Sequence, residues 1–210
     1  MTASPAEPHS IQQHTATLIA MLRAGEQSAF AAFGGILLRL SPGEHGLAAP
    51  HLAQLIADEE RHERALAVHA DRLPGVAAND AMTRRFFRSL ESREPRIHLA
   101  RIAALDGCVC QVLASVLAQN SQRPAANSLF DLLSTIRTDE AHHVRVTRTL
   151  CCALGSDAES TKAIVFEVRH GFAGLLASRA DSFAALGVDA GALILRIRRE
   201  SGDILGPSGC

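Results

Sequence analysis

The chain has 210 residues, of which 47% are hydrophobic, and its formal net charge at pH 7 is −1. This length allows one domain with a well-buried core, and the balanced charge argues against nucleic acid as a partner. Charged residues interrupt the apolar stretches before they reach about 18 residues, so no transmembrane segment is expected. The N-terminus lacks the basic start and apolar run of a signal peptide, so we expect a cytoplasmic protein.

Four long segments have the hydrophobic periodicity of amphipathic helices, whereas the alternating pattern of strands is scarce. Proline and glycine stand at most of their ends, where these residues begin or stop helices. The expected helices run from Ile11 to Leu40, from Pro50 to Leu73, from Pro95 to Asn120 and from Pro124 to Leu154.

The connections between these segments predict the topology. Short connections join the first helix to the second and the third to the fourth, so each pair should form an antiparallel hairpin. About twenty residues separate the two hairpins, with room for a short helix from Met82 to Leu90. The pattern therefore predicts an all-α four-helix bundle with a long central crossover.

Beyond Gly155 the chain continues with helical periodicity. We expect a fifth helix from Lys162 to Leu186 and a short sixth helix that ends near Arg199, both packed against the bundle. The expected organisation is a single helical domain over residues 11–200, with a core bundle at 11–154 and C-terminal helices at 158–200. Residues 1–10 are expected to form a disordered N-terminal tail and residues 201–210 a C-terminal tail.

The inward-facing stripe of each long helix is apolar except near its middle, where it carries a carboxylate. The second and fourth stripes add a histidine one turn later. An isolated carboxylate in a helical core costs several kcal/mol unless it is neutralised, paired or bound to a metal. The six polar residues of these stripes are Glu26, Glu59, His62, Asp106, Glu140 and His143.

This set of side chains predicts a site for two metal ions between the four helices. Four carboxylates and two imidazoles supply the oxygen and nitrogen ligands that iron or manganese accepts. One acid from each of two helices, with Glu-x-x-His from each of the others, is the ligand pattern of dinuclear helical bundles. Glu26 and Glu59 are 33 residues apart and Asp106 and Glu140 are 34 apart, so the two hairpins match. The alternative is that the Glu-x-x-His segments form solvated, salt-bridged helix faces.

Two aspartates are expected to support the histidines. Asp58 lies four residues before His62, and Asp139 lies four residues before His143, which places each pair on one helix face. Each aspartate is expected to accept the free ring N–H of the histidine on its own helix, which would fix the nitrogen that meets the metal.

Other histidines and the cysteines are weaker candidates. His69 and His170 are expected to be ordinary core or surface residues. None of the five cysteines forms a C-x-x-C pair, so a rubredoxin-type iron site or a zinc ribbon is not expected. Small buried thiols are the favoured interpretation, although Cys110 lies one turn after Asp106 and is a candidate to border the site.

The segments ADEERHERAL (Ala57 to Leu66) and IRTDEAHHVR (Ile136 to Arg145) resemble the second and fourth helix motifs of the ferritin-like di-iron carboxylate superfamily. The resemblance covers Ile11 to Leu154, and the extra C-terminal helices are similar to those of uncharacterised bacterial ferritin-like domain proteins. Carried over by position, it implies that the six stripe residues are the ligands. Asp106 stands where most members have glutamate, which leaves room for a solvent or substrate ligand, or for a more weakly bound second metal.

The resemblance implies a non-haem dinuclear-iron oxidoreductase, either an oxygenase or an oxidase. Such a protein activates O2 to oxidise or hydroxylate a small organic substrate, and it needs an external electron donor. Its cofactor is two iron ions, with manganese as an alternative, and no catalytic residue is expected beyond the metal ligands. A homodimer is one expected assembly. The alternatives are a ferroxidase or iron-storage protein and a non-catalytic metal-binding helical protein.

Composition excludes one mechanism within this superfamily and weakens another. The chain contains no tyrosine and no tryptophan, so it cannot store a tyrosine radical as the small subunits of ribonucleotide reductase do. A quinone hydroxylase at a membrane needs an exposed apolar helix face. The segment from Met82 to Leu90, with Phe86 and Phe87 beside arginines, is the candidate for such a face.

Overall fold

The structure is a computed structural model that describes residues 8–73, 81–120 and 128–199, and the regular secondary structure in these ranges is entirely α-helical. The helices within these ranges are α1 (Pro8–Leu37), α2 (Pro42–Ala70), α3 (Ala81–Ser89), α4 (Pro95–Asn120), α5 (Ser128–Ala153), α6 (Ala158–Ala177), α7 (Ala180–Ala185) and α8 (Ala190–Arg199).

Two helical hairpins form the core of the fold. The most extensive packing joins α1 to α2 and α4 to α5, and contacts of α2 with α5 and of α1 with α4 close the bundle. The helix α3 lies within the crossover between the hairpins and packs on α1 and α6. This is the all-α bundle with a long central crossover and additional C-terminal helices that the sequence predicts.

The second helix begins at Pro42 rather than at Pro50. Ser41 precedes it in an extended conformation, and the Ser41 backbone N–H donates to Glu44 Oε2 at 2.9 Å in a capping box. Pro42 suits the first helical position because its missing N–H would have no partner there. Pro50 is therefore an exposed residue inside the helix.

The expected fifth helix, Lys162 to Leu186, is two helices. The first, α6, begins earlier because Asp157 accepts the backbone N–H of Glu159 at 2.9 Å as an N-cap. It ends at Ala177, and α7 follows after a short break. The helix α6 packs on α4, α7 packs on α1, and α8 packs on α4 and α6, so the C-terminal helices cover the bundle as expected.

The expected tails are only partly described. The first helix begins at Pro8, so residues 8–10 are helical rather than part of the disordered tail expected over 1–10. Residues 1–7 and 201–210 lie outside the described residues, as do the first residues of the expected fourth helix, near Pro124.

The sequence pattern predicts no membrane-spanning segment, but α4 meets the usual criteria for one. By length and composition α4 is apolar enough to span a membrane, because its most apolar window of 18 residues has a mean hydropathy of 1.6. Half of that window (50%) is buried inside the fold, and α4 packs against α1, α5, α6 and α8. A helix surrounded by other helices is expected to be apolar on several faces.

The apolar side of α3 faces inward. Phe86 and Phe87 are both 8% exposed, and the Phe86 ring lies 5.7 Å from the ring of Phe172 on α6, measured between centroids. Arg85 and Arg88 are on the exposed side of the same helix. The exposed apolar face that a quinone hydroxylase would need is therefore not formed by these two phenylalanines.

Candidate metal centre

The structure brings together all six polar residues of the inward-facing stripes. Each of the four bundle helices contributes near its middle, α1 and α4 with one acid each, α2 and α5 with a glutamate and a histidine. Periodicity carries these side chains inward because the neighbouring positions on each stripe are apolar and buried. None is more than 4% exposed: Glu26, Glu59, His62, Asp106, Glu140 and His143.

Two groups of these side chains can each hold a metal ion. The first group is Glu26, Glu59, His62 and Glu140, and the second group is Asp106, Glu140 and His143. Within each group the ligand atoms lie within 4.8 Å of one another. The two groups are consistent with a dimetal site, and the individual ligand roles stay a prediction.

Glu140 belongs to both groups, and its two oxygens face different histidines. Glu140 Oε1 lies 3.8 Å from His62 Nδ1, and Glu140 Oε2 lies 3.8 Å from His143 Nδ1. The two imidazole rings are stacked with their centroids 5.9 Å apart. A carboxylate in this position can bridge two cations, one beside each histidine.

The inner nitrogen of each histidine also faces a carboxylate of the α1–α2 hairpin. His62 Nδ1 lies 3.1 Å from Glu26 Oε2, and His143 Nδ1 lies 3.1 Å from Glu59 Oε1. The two Nδ1 atoms therefore point toward Glu26 and Glu59, and the two Nε2 atoms point away from these glutamates. This arrangement identifies Nδ1 as the nitrogen that would bind a metal.

Several buried polar atoms of the centre form no hydrogen bond within the described part of the chain. They are Glu59 Oε1, Asp106 Oδ2 and both ring nitrogens of His143. Glu59 Oε1 approaches His143 Nδ1 closely, but the two atoms lack hydrogen-bond geometry. A buried polar atom without a partner costs about 1–3 kcal/mol. Cations at the centre would satisfy Glu59 Oε1, Asp106 Oδ2 and His143 Nδ1 together, whereas His143 Nε2 faces Asp58 at 3.5 Å. The residues present therefore fit a pair of metal ions.

The acids resist ionisation when no cation is bound. Burial, and then the neighbouring Glu140 and Glu26, raise the pKa of Glu59 well above its ordinary value. Burial and Glu26 do the same for Asp106, and burial with Asp106 raises the pKa of Glu140. A bound cation favours the ionised form of a neighbouring carboxylate, so metal binding would release protons here.

The two histidines have different surroundings. Burial lowers the pKa of His62, but hydrogen bonds with Glu26 and Asp139 outweigh it and leave the pKa raised. Burial, together with the neighbouring His62, lowers the pKa of His143 to about 4. His143 is therefore a neutral imidazole at pH 7 that can accept a metal, whereas at His62 a metal competes more strongly with a proton.

The supporting aspartates reach across to the opposite helix, which corrects the expected pairing. Asp139 of α5 contacts His62 Nε2 at 3.0 Å, and Asp58 of α2 lies 3.5 Å from His143 Nε2. The aspartate and histidine of one helix do share a face, but α2 packs against α5 with these faces opposed. Each ring directs Nδ1 to the centre, so its Nε2 meets the aspartate of the neighbouring helix.

Arg61 and Gln54 complete this network and were not identified from the sequence. Arg61 Nη1 donates to Asp58 Oδ1 at 2.5 Å and Arg61 Nη2 donates to Asp139 Oδ2 at 2.9 Å, so one guanidinium joins both aspartates. Gln54 Nε2 donates to Asp58 Oδ1 at 3.1 Å. Burial raises the pKa of Asp58, but the bonds from Arg61 and Gln54 outweigh it and lower the pKa. The available signal was the spacing of three residues between Asp58 and Arg61.

The helix α2 does have a solvated, salt-bridged face, but the glutamate on that face is Glu60 and not Glu59. Glu60 is exposed and pairs with Arg64 at 2.9 Å, one turn along α2. Glu59 lies on the buried side of the same helix. Of these adjacent glutamates, Glu60 therefore forms the surface ion pair, and Glu59 is in the buried position expected of a metal ligand.

The weaker candidates lie elsewhere. His69 is half-buried at the end of α2, and His170 is exposed and stacks on Phe166 with the ring centroids 5.4 Å apart. Cys110 directs its Sγ toward the Arg137 carbonyl oxygen at 3.8 Å. Cys151 is a buried thiol, and burial raises its pKa to about 12. None of these four belongs to the two metal-binding groups found among the described residues.

A small, largely apolar cavity adjoins the four acids of the centre. Its volume is about 20 Å³, enough for about one water-sized molecule. Phe87 of α3 and Phe172 of α6 form part of its wall, and a Cβ added at Gly25 would lie 3.5 Å from the Phe87 ring. The other apolar residues that line it include Met21, Leu22, Ala29, Leu105 and Val109.

No protein-family model matches the chain, and no curated protein matches its sequence. Among solved structures, one from Synechococcus, described as protein 19 with aldehyde deformylating oxidase activity, has the same fold with a TM-score of 0.71. The match covers 97% of this chain and 94% of that chain at 18% sequence identity. At this identity the likeness shows the fold, and it confirms the predicted ferritin-like all-helical bundle.

Proposed function

We propose that this chain is a dinuclear-iron oxidoreductase that uses O2 to oxidise a small organic substrate. The observation that carries the proposal is the pair of buried ligand groups that share Glu140. Four helices contribute to these groups, and several of their polar atoms have no hydrogen-bond partner among the residues that the structure describes. The shared fold with a protein described as an aldehyde deformylating oxidase supports it.

The chain's own residues hold and orient the centre. In this proposal Glu26, Glu59 and His62 would hold one metal, Asp106 and His143 would hold the other, and Glu140 would serve both. Asp139 contacts His62 Nε2 at 3.0 Å, and Asp58 lies 3.5 Å from His143 Nε2, so both aspartates favour rings whose Nδ1 faces inward. A bound pair of iron ions would supply redox electrons and open coordination positions for O2, and manganese suits the same ligands.

Asp106 makes the second position more open than the first. Its side chain is one carbon shorter than that of glutamate, and its ligand group has three residues, whereas the other group has four. Its Oδ2 has no hydrogen-bond partner among the described residues, although the residue is only 3% exposed. We propose that O2 or substrate approaches on this side, next to the apolar cavity.

The cavity indicates the kind of substrate. Apart from the acids of the centre, the residues that line it are apolar, which favours an apolar organic molecule over a charged one. Aldehydes are the first class to test, because the structural neighbour is described by an activity on aldehydes. The present volume holds no organic chain, so substrate binding requires Phe87 and α3 to move away from α1.

Oxygen consumption tests the proposal. The iron-loaded protein, supplied with a reductant, is expected to consume O2 faster when an apolar aldehyde is added. Glu59→Ala should lose this activity, whereas Glu60→Ala, at the exposed neighbouring position, should keep it. O2 consumption that depends on added ferrous iron and is unchanged by every aldehyde tested would instead indicate a ferroxidase. Equal activity in the two variants would contradict the proposed centre.

A further inference from the structure

A second and larger cavity lies on another part of the surface. Its volume is about 600 Å³, which is within the range of small-molecule sites. The second half of α1 contributes small residues to it, including Ser28, Ala32 and Gly35. Arg39, in the connection after α1, also lines it, and the end of α3, the connection at 90–94 and the first turn of α4 contribute the rest. None of the six candidate metal ligands lines this cavity.

The charge of this cavity is unbalanced. Three guanidinium groups line it, from Arg39, Arg88 and Arg93, against one carboxylate, that of Glu91. Within the described ranges, none of these three arginines forms an ion pair, unlike Arg61 and others on the same protein. Concave positive sites concentrate anions, and guanidinium groups bind oxyanions through paired N–H donors.

A buried histidine holds one of the three arginines. His98 is 5% exposed, and Arg39 Nη2 lies 3.2 Å from its Nδ1. Because a guanidinium can only donate, Nδ1 must accept and the ring proton must be on Nε2. Burial, with Arg39 and Arg101 nearby, lowers the pKa of His98 to about 4, so the ring is neutral at pH 7. His98 therefore positions Arg39 without cancelling its charge.

Two further features fix the walls of the cavity. A Cβ added at Gly35 would lie 3.1 Å from Arg39 Nη1, so glycine lets this guanidinium fold back over α1. Arg101 Nη1 donates to the carbonyl oxygen of Glu91 at 2.8 Å, which ties the connection to α4. The Arg39 guanidinium and the connection that carries Arg93 are therefore both held in place.

We propose that this cavity binds a small organic molecule through a phosphate group. Three guanidinium groups and one carboxylate leave an excess of two positive charges, which matches a phosphate dianion better than a monocarboxylate. Phosphate presents enough oxygens to engage more than one guanidinium at once. The cavity is much larger than a phosphate group, so the remaining volume accommodates the organic part of the ligand.

Calorimetric titration of the full-length protein with inorganic phosphate, at constant ionic strength set by chloride, tests the proposal. Saturable binding of phosphate is expected, with acetate weaker by about tenfold because it carries one charge. Arg88→Gln should weaken phosphate binding by about tenfold, since a charge-assisted contact is lost. Arg85→Gln is the matched control, because it removes the same charge from the exposed face of α3 and should leave binding unchanged.

Gly35→Ala gives a second variant that removes no charge. It should weaken phosphate binding by displacing the Arg39 guanidinium, while the helical circular dichroism signal and the bound iron stay as in the wild type. Absence of phosphate binding by the wild-type protein would overturn the proposal. Equal weakening by Arg85→Gln and Arg88→Gln would also overturn it, because it would show general attraction of anions. Both readouts are independent of the oxidoreductase activity.

Discussion

The two sides of the candidate metal centre are built differently. On the α2–α5 side, Asp58, Asp139 and Arg61 form a hydrogen-bonded network around the histidines. On the α1–α4 side, Glu26 and Asp106 adjoin an apolar cavity that Phe87 helps to close. The polar side is suited to holding and orienting metal ligands, and the apolar side is suited to admitting a substrate. The same four-helix pattern thus provides rigidity on one side and access on the other.

The largest expected effect is the loss of metal-induced stabilisation in Glu140→Ala, because Glu140 serves both ligand groups. Ligand at a thousandfold excess over Kd stabilises a protein by about 4 kcal/mol, and a chain of this size gains about 2–4 °C in Tm per kcal/mol. We therefore expect ferrous iron to raise the wild-type Tm by roughly 10 °C and to leave that of Glu140→Ala nearly unchanged. Anaerobic thermal denaturation with and without iron measures the difference.

The pH dependence of that stabilisation should follow the buried acids. The pKa values of Glu59, Asp106 and Glu140 are raised in the metal-free fold. In their protonated form these acids therefore stabilise the metal-free fold. That stabilisation is fully present below the ordinary carboxyl pKa near 4 and is lost as pH rises through the raised pKa values. Metal needs the ionised acids, so the iron-induced rise in Tm should be larger at about pH 7.5 than at about pH 5.5. An equal rise at both pH values would show that these acids are not the ligands.

Arg61→Gln tests the polar side alone. Loss of the guanidinium that joins Asp58 to Asp139 should loosen both histidine rings and weaken metal binding by about 10–100-fold, the usual effect of removing such support. Arg64→Gln is the matched control, because Arg64 pairs with the exposed Glu60 on the same helix. Competition with a chelator of known affinity measures both variants. Equal affinities would mean that the network does not act on the centre.

The smallest expected effect on the metal belongs to the apolar side. Phe87→Leu should leave iron binding unchanged, because Phe87 belongs to neither ligand group. It should cost less stability than the about 3–5 kcal/mol lost when a whole buried phenylalanine ring is removed. It should change the selectivity for aldehyde chain length by enlarging the cavity near α3. Kinetics with a series of aldehydes measures this, and a loss of iron in Phe87→Leu would contradict the division between the two sides.

Periodicity was sufficient to predict the bundle and the residues that converge in it. Glu26 and Glu140 occupy positions where the helical repeat predicts a buried apolar side chain, and both glutamates are buried in the structure. The start of α2 was less predictable, because Pro50 resembles a helix start while the capping at Ser41 depends on Glu44 three residues later. Helix limits depend on such local bonds as well as on the repeat.

The sequence pattern did not predict the side-chain contacts between helices. The repeat places Asp58 and His62 on one face, but it does not give the rotation of α2 against α5 that pairs Asp58 with His143. In the same way, the run of Phe86 and Phe87 among arginines does not reveal which side of α3 meets the bundle. The cytoplasmic location, the homodimer and the electron donor stay predictions.

The amount of iron bound per chain tests the central claim most directly. The protein is loaded anaerobically with excess ferrous iron, freed of unbound metal and analysed for iron and protein together. The two ligand groups predict two iron ions per chain for the wild type and a loss of both in Glu140→Ala, with Glu60→Ala keeping the full complement. Two iron ions retained by Glu59→Ala and Glu140→Ala alike would contradict the account.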